Sequence, residues 1–184
     1  MKTQGDRYIG GGKLYFTPVG GGAEFEIGEV QEATINTSVE FAEAWSKDSV
    51  MAKLVERVAK KIDASGKFST QKLNLKNTAM FMLGTETTET FEIGETLPDG
   101  TTATAQVVIP KITAGNKPVV EGQLKFIGDE DGAKKPVIVI PSVVLTPSGD
   151  LPLIVDEFAK LSFDFAILQV DDRLYDEYTM TVGA

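Results

Sequence analysis

Acidic side chains offer the first chemistry to test. Asp171, Asp172, Asp176 and Glu177 cluster near the C-terminus. Paired carboxylates can divide general-acid and general-base work in hydrolysis, but one of them must then be held in a cleft with a raised pKa. Nothing around these residues signals a cleft, so a solvated surface is the expectation. A second group, Asp129, Glu130 and Asp131 in GDEDG at 128–132, offers oxygen ligands for calcium. An EF-hand loop needs alternating ligands and a glutamate at its twelfth position. Counted from Asp129, that position is Ile140, and the segment reads as a turn. The glycine triplets 10–12 and 20–22 bracket KLYFTPV, yet no GK[ST] follows at phosphate-loop spacing and no helical pattern starts after either. They read as arm and turn glycines.

The chain has no cysteine and no histidine. Disulfides, thiolate nucleophiles and cysteine-ligated zinc are excluded within it. So are Ser-His-Asp and Cys-His catalysis, together with the commonest general base at neutral pH. Neither enzyme activity nor a bound metal or cofactor is expected.

The elements that would position any site come next. At 184 residues and 42% hydrophobic, the chain suits a single domain with a real core. No apolar run approaches bilayer-spanning length. The opening MKTQGDRYIGGG has no apolar leader region, so synthesis and use in a cytoplasm are expected, or assembly there into something exported by other means. The net charge of −9 argues against a surface that grips nucleic-acid phosphates.

Period-two alternation marks strands. Phe25 and Ile27 alternate with Glu24 and Glu26. Ala33, Ile35, Thr37 and Val39 share one side of a second segment, with Thr34, Asn36, Ser38 and Glu40 on the other. Residues 107–109 form a short β-branched run that stops at Pro110. Leu124 and Phe126 alternate with Gln123 and Lys125. Residues 137–144 are β-branched around Pro141, which argues for an edge or a bulge. Leu161, Phe163, Phe165 and Ile167 alternate most clearly of all. Turn signals separate them: PDG at 98–100, AGN at 114–116 and PSGD at 147–150. The polar residues 84–100 read as an exposed hairpin or loop. The fold class is therefore mainly β, a sandwich or barrel, with one helix at about 75–83, Asn74 as its N-cap and Gly84 just past its end.

Residues 50–62 are ambiguous. Val50, Leu54, Val58 and Ile62 recur at i+4, as do Met51, Val55 and Ala59. Read alone, this favours a helix capped by Asp48 or Ser49. The continuation through Ile62, Ala64, Gly66 and Phe68 alternates like a strand. Trp45, the only tryptophan, lies just before, in EFAEAWSKDS. It reads either as an anchor for a partner or as a core residue.

In order along the chain, YIGGGKLYFTPV, GEVQEATINTSVEF, KLNLKNTAMFMLG and EGQLKFIGDEDGAKKPVIVIPSVVLTPSGDLPLIVDEFAKLSFDF are similar to major tail (tail tube) proteins of long-tailed bacteriophages. The likeness covers most of residues 8–170. Each piece is loose, and the order carries the resemblance. It implies a tail-tube-type β-sandwich or barrel with one flanking helix, assembled as hexameric rings. Inner strands would form one continuous barrel across each ring, and the rings would stack into a conduit through which DNA passes without specific binding. It also implies that 54–73 is a long strand and 41–51 the preceding loop, which overrides the helical reading. The N-terminal arm 1–12, the loop to about residue 53 and the tail 171–184 would contact the next ring. Tyr8, Tyr15, Phe41, Trp45, Met51, Asn77, Met80 and Phe81 are the interface candidates. Partners would be other copies of the chain, the tape measure, and tail-end and baseplate or tip proteins. The location would be the virion tail, after assembly in the host cytoplasm. With no decorating domain after residue 170, a plain-walled, non-contractile tube is expected. The alternatives are a tube subunit of a contractile secretion system, a monomeric β-sandwich binding module such as a sugar- or cell-surface-binding domain, and a carboxylate hydrolase on a β scaffold.

Overall fold

The computed structural model describes residues 10–48, 50–130 and 134–181. Ten strands and one helix follow each other as β1 (Gly12–Pro18), β2 (Phe25–Glu26), β3 (Val30–Ser46), β4 (Lys53–Thr70), α1 (Leu75–Phe81), β5 (Thr85–Phe91), β6 (Val107–Thr113), β7 (Val120–Gly128), β8 (Lys134–Ser148), β9 (Leu161–Ile167) and β10 (Asp176–Thr181). Eight strands form one antiparallel sheet in the order β2-β1-β7-β8-β9-β4-β3, with β10 joined to β8, while β5 and β6 pair separately. The mainly-β expectation with one flanking helix holds.

Alternation places the core. Leu14 and Phe16 of β1, Leu124 of β7, Val143 and Leu145 of β8, and Leu161, Phe163 and Phe165 of β9 all point inward and are buried. Phe163 stacks on Phe68 of β4 at 4.8 Å between ring centroids and meets the Phe81 ring edge-on at 5.7 Å. The helix therefore closes the sheet over an aromatic cluster. Close backbone approach is bought with glycine: a Cβ on Gly66 would overlap the Phe165 ring and the Thr34 carbonyl, and one on Gly122 would overlap Phe16 and the Thr17 carbonyl.

Pro141 lies within β8, the strand at the centre of the sheet. The β7–β8 register slips between Gly122 and Leu124, so Pro141 falls at a bulge. It also marks where β8 changes partners, since β10 covers Lys134 to Val139 and β9 covers Val143 to Ser148. The bulge expectation was right. Pro110 behaves otherwise: β6 runs through it to Thr113, opposite Thr88, because a two-stranded sheet leaves an open edge for a residue without an N–H. Residues 84–100 do contain a hairpin strand, β5.

Asn74 caps α1, its side chain accepting from the Asn77 N–H at 2.7 Å. The far end differs from expectation. Leu83, with φ at 48°, is the left-handed residue, and its N–H donates to Met80 O at 3.2 Å while Gly84 N–H reaches Ala79 O at 2.8 Å. Glycine is required at 84 because a Cβ there would sit 2.6 Å from the Thr113 carbonyl oxygen.

In the turn before β6, Thr101 donates to the Asp99 carboxylate from Oγ1 at 2.6 Å and from N–H at 2.9 Å. The Thr101 hydroxyl first, and then its N–H, hold the Asp99 pKa below the ordinary carboxylate value. The folded value is the lower one. Its stabilisation is therefore complete above the unfolded value of about 4 and is lost as pH falls through the folded value. A carbon-detected NMR titration should place the Asp99 midpoint below that of a random-coil aspartate. A midpoint at or above it would discredit this turn geometry.

Candidate functional site

The feature that the core does not explain is the β3–β4 hairpin. β9 pairs with β4 only from Ala64 to Thr70, while β3 pairs with β4 from Thr70 back to Lys53. Among the described residues, 53–63 of β4 thus run on with β3 as their only partner. At about 3.3 Å per residue this arm projects on the order of 35 Å past the end of β9. It is a strand throughout, so the helical reading of 50–62 fails and the long-strand expectation holds. The expected loop 41–51 is strand as far as Ser46, because Phe41 to Ser46 pair with Lys53 to Ala59.

Directly opposed residues share a face. On one face lie the pairs Val39–Ile62, Phe41–Ala59, Glu43–Arg57 and Trp45–Leu54. Further back, the same face carries Thr37–Ala64, Ile35–Gly66 and Ala33–Phe68. The core face therefore continues outward along the arm, where none of the described residues covers it: Val39, Phe41, Trp45, Leu54 and Ile62 are all exposed, Trp45 at 54%. The register slips after Glu40 and after Ala44, which leaves Lys60 and Val55 as extra residues on β4. Such bulges increase strand twist. The Arg57 guanidinium sits 3.8 Å above the Phe41 ring centroid and 3.3 Å from a Glu43 carboxylate oxygen, fixing the side chains in the middle of the stripe.

Near its base the stripe runs into a cavity of about 340 Å³, lined by Leu14, Val30, Ile35, Phe126, Ile140 and Phe165 among others. Residues of β1 and β3 both line this space, but the strand order ends at β3, which among the described residues ladders only with β4. The opposite face of the sheet is polar. On it Lys13 pairs with Glu26 at 3.1 Å, Lys61 with Asp63 at 2.7 Å, Lys67 with Glu32 at 2.9 Å and Lys125 with Glu24 at 2.6 Å. The hydrogen bond that Lys61 donates to Asp63, and then the Asp63 charge, raise the Lys61 pKa; Glu26 does the same for Lys13. Exposed pairs of this kind add little stability, but they neutralise these four lysines, and Glu40, Glu56 and Asp164 lie on the same face.

The remaining interface candidates divide. Tyr8 lies outside the described residues, as do residues 1–9 of the expected arm and 182–184 of the expected tail. Tyr15 is half-buried on the polar face, its ring centroid 5.2 Å from Lys125 Nζ. Met51 is exposed in the turn. Asn77, Met80 and Phe81 are buried within the subunit, because α1 turns them toward the sheet. The Asn77 amide donates to Ile27 O at 2.9 Å and to Lys72 O at 2.7 Å, clasping two loops. Asn77→Ala strands both carbonyls and should cost about 2–4 kcal/mol. A chemical-denaturation midpoint unchanged from wild type would disprove the clasp. Within the tail 171–184, Asp176–Thr181 form β10, laddered to β8 rather than free. The carboxylates near it make a turn: Asp171 and Asp172 have φ at 50° and 60°, and Asp176 pairs with Arg173 at 2.9 Å. Among the described residues no group of three or more acidic side chains is placed to hold a metal ion, and no helix is long and apolar enough to cross a membrane.

One surface drew no attention in the sequence. The β8–β9 connection exposes Leu153, Ile154, Val155 and Phe158, with Ile154 at 96% and Phe158 at 86%. Its signal was the apolar run LPLIV directly after the PSGD turn.

Fold and surface together define a mainly-β protein with a projecting apolar hairpin. No protein-family profile matches the chain, and no curated protein matches it. Among solved structures, a chain in the 6-fold symmetrised cryo-EM structure of the anti-feeding prophage baseplate is similar over 100% of both chains, with a TM-score of 0.47 and 10% identity. That likeness is too distant to carry a conclusion about this chain.

Proposed function

We propose that the chain is a non-catalytic structural subunit that polymerises with copies of itself, as stacked hexameric rings, into a phage tail tube. The observation that carries this reading is the hairpin arm. It extends the core face into solvent as a largely apolar stripe crossed by the Glu43–Arg57 pair, and among the described residues the outer edge of β3 has no ladder partner. Monomeric proteins blunt such edges and rarely expose continuous apolar stripes. Lateral pairing between subunits satisfies the edge as a closed barrel would. The tail-tube resemblance in the sequence supplies the ring and the conduit. On this reading the polar sheet face lines the bore. Lys13, Lys61, Lys67 and Lys125 on it are each matched by a carboxylate, and Glu40 and Glu56 add further negative charge beside Lys53, unpaired among the described residues, so it offers passing DNA little to grip. Tape measure, tail-end and baseplate or tip proteins are the further partners, and the virion tail is the location.

Electron microscopy of the purified chain, with size-exclusion chromatography, tests the proposal. Rings or tubes are expected at high protein concentration. A monomer at every concentration would rule it out and favour a monomeric binding module.

A further inference from the structure

The strand register fixes where the two exposed apolar surfaces lie. β4 ends at Thr70 beside Leu161 of β9, and Ser148 of β8 pairs with Ser162. The β8–β9 connection therefore leaves the sheet at the Thr70 end. The hairpin turn lies at the other end, beyond Lys53. One pole of the strand axis carries the projecting stripe, and the opposite pole carries Leu153, Ile154 and Phe158. Val119 is also exposed at this second pole, one residue before Val120, which pairs with Leu145 near the end of β8.

Resting on the proposed self-assembling role, we infer that these poles are partners: the apolar stripe of one copy seats against the 151–158 loop of the next, along the strand axis. The two surfaces cannot cover each other within one chain, because the length of the sheet separates them. Stripe-to-stripe pairing would close a two-fold dimer and leave the loop exposed. A head-to-tail contact covers both surfaces with one interface, where two-fold pairing would need a second, loop-to-loop contact, and a head-to-tail contact along the strand axis repeats without end unless its rotation closes a ring. Each surface presents on the order of 400 Å² or more of apolar side chain, the scale at which exposed patches mark interaction sites. Two such contributions approach the roughly 800 Å² per partner of a stable interface. This contact is axial, and the lateral edge pairing that would close a ring is separate from it.

The test uses the full chain carrying Ile154→Asp and Phe158→Asp. Both side chains are almost fully exposed, so the monomer melting temperature should not change. Microscopy should then show rings that do not stack, with loss of tubes. Because the chain has no cysteine, single variants L54C and F158C can also be mixed under oxidising conditions. A mixed disulfide dimer is expected at assembly concentrations. Tubes of wild-type length from the double aspartate variant would overturn the axial contact and leave the ring intact. Disulfide dimers of L54C with itself, with no L54C–F158C dimer in the mixture, would overturn it in favour of stripe-to-stripe pairing. If the wild-type chain forms neither rings nor tubes, the proposed function itself falls.

Discussion

Trp45→Ala should leave the isolated subunit folded while crippling its assembly. Trp45 lies near the tip of the arm, opposite Leu54 and far from the buried core. An exposed truncation there should cost the monomer less than about 1 kcal/mol, a melting shift of about 2–4 °C or less. In an interface the same side chain is a large aromatic anchor, and its loss should cost about 2 kcal/mol or more per contact. That raises the protein concentration needed for assembly about thirty-fold. Light scattering against concentration reads this directly, and Trp45 fluorescence in the wild type should shift to the blue as tubes form. If the monomer instead melts far lower while assembly keeps its threshold, Trp45 serves the fold and not the interface.

The second large effect is expected at Phe163→Ala. The ring is buried between Phe68 and Phe81, on the strand that joins β8 to β4. Truncation removes its burial and leaves a cavity among aromatics that cannot collapse together, at a cost of about 3–5 kcal/mol. Against a total stability of about 5–15 kcal/mol this is a large fraction. The melting temperature should fall by about 6–20 °C. Phe163→Leu should recover much of the loss, since it refills most of the volume. A loss under about 1 kcal/mol for the alanine variant would mean that α1 does not pack on β9 as described.

The two experiments separate what the sequence states from what it leaves open. Phe163 was legible: Leu161, Phe163, Phe165 and Ile167 alternate with polar residues, and only a strand puts such a set on one face. The turns at PDG, AGN and PSGD, the Asn74 cap and the bulge at Pro141 were legible for the same reason. Each depends on a side chain acting on its own backbone within a few residues. The absence of cysteine and histidine excluded whole classes of chemistry before any fold was known.

The arm was not legible from its own residues. Side chains four positions apart share a face in a helix, where they are about 40° apart, and also in a strand, where they are in phase. The pattern Val50, Leu54, Val58, Ile62 therefore fits both. What decides is pairing with β3, through contacts between residues distant in sequence, and the bulges at Val55 and Lys60 then break the strand phase that the pattern suggests. Burial was undecided likewise. Asn77 and Trp45 both read as interface candidates, but helix packing sends the first into the core and the sheet's end leaves the second in water. Composition and local periodicity set which segments are strands and what chemistry is absent. Which apolar faces remain uncovered, and at which ends of the molecule, follows only from how long each strand finds a neighbour.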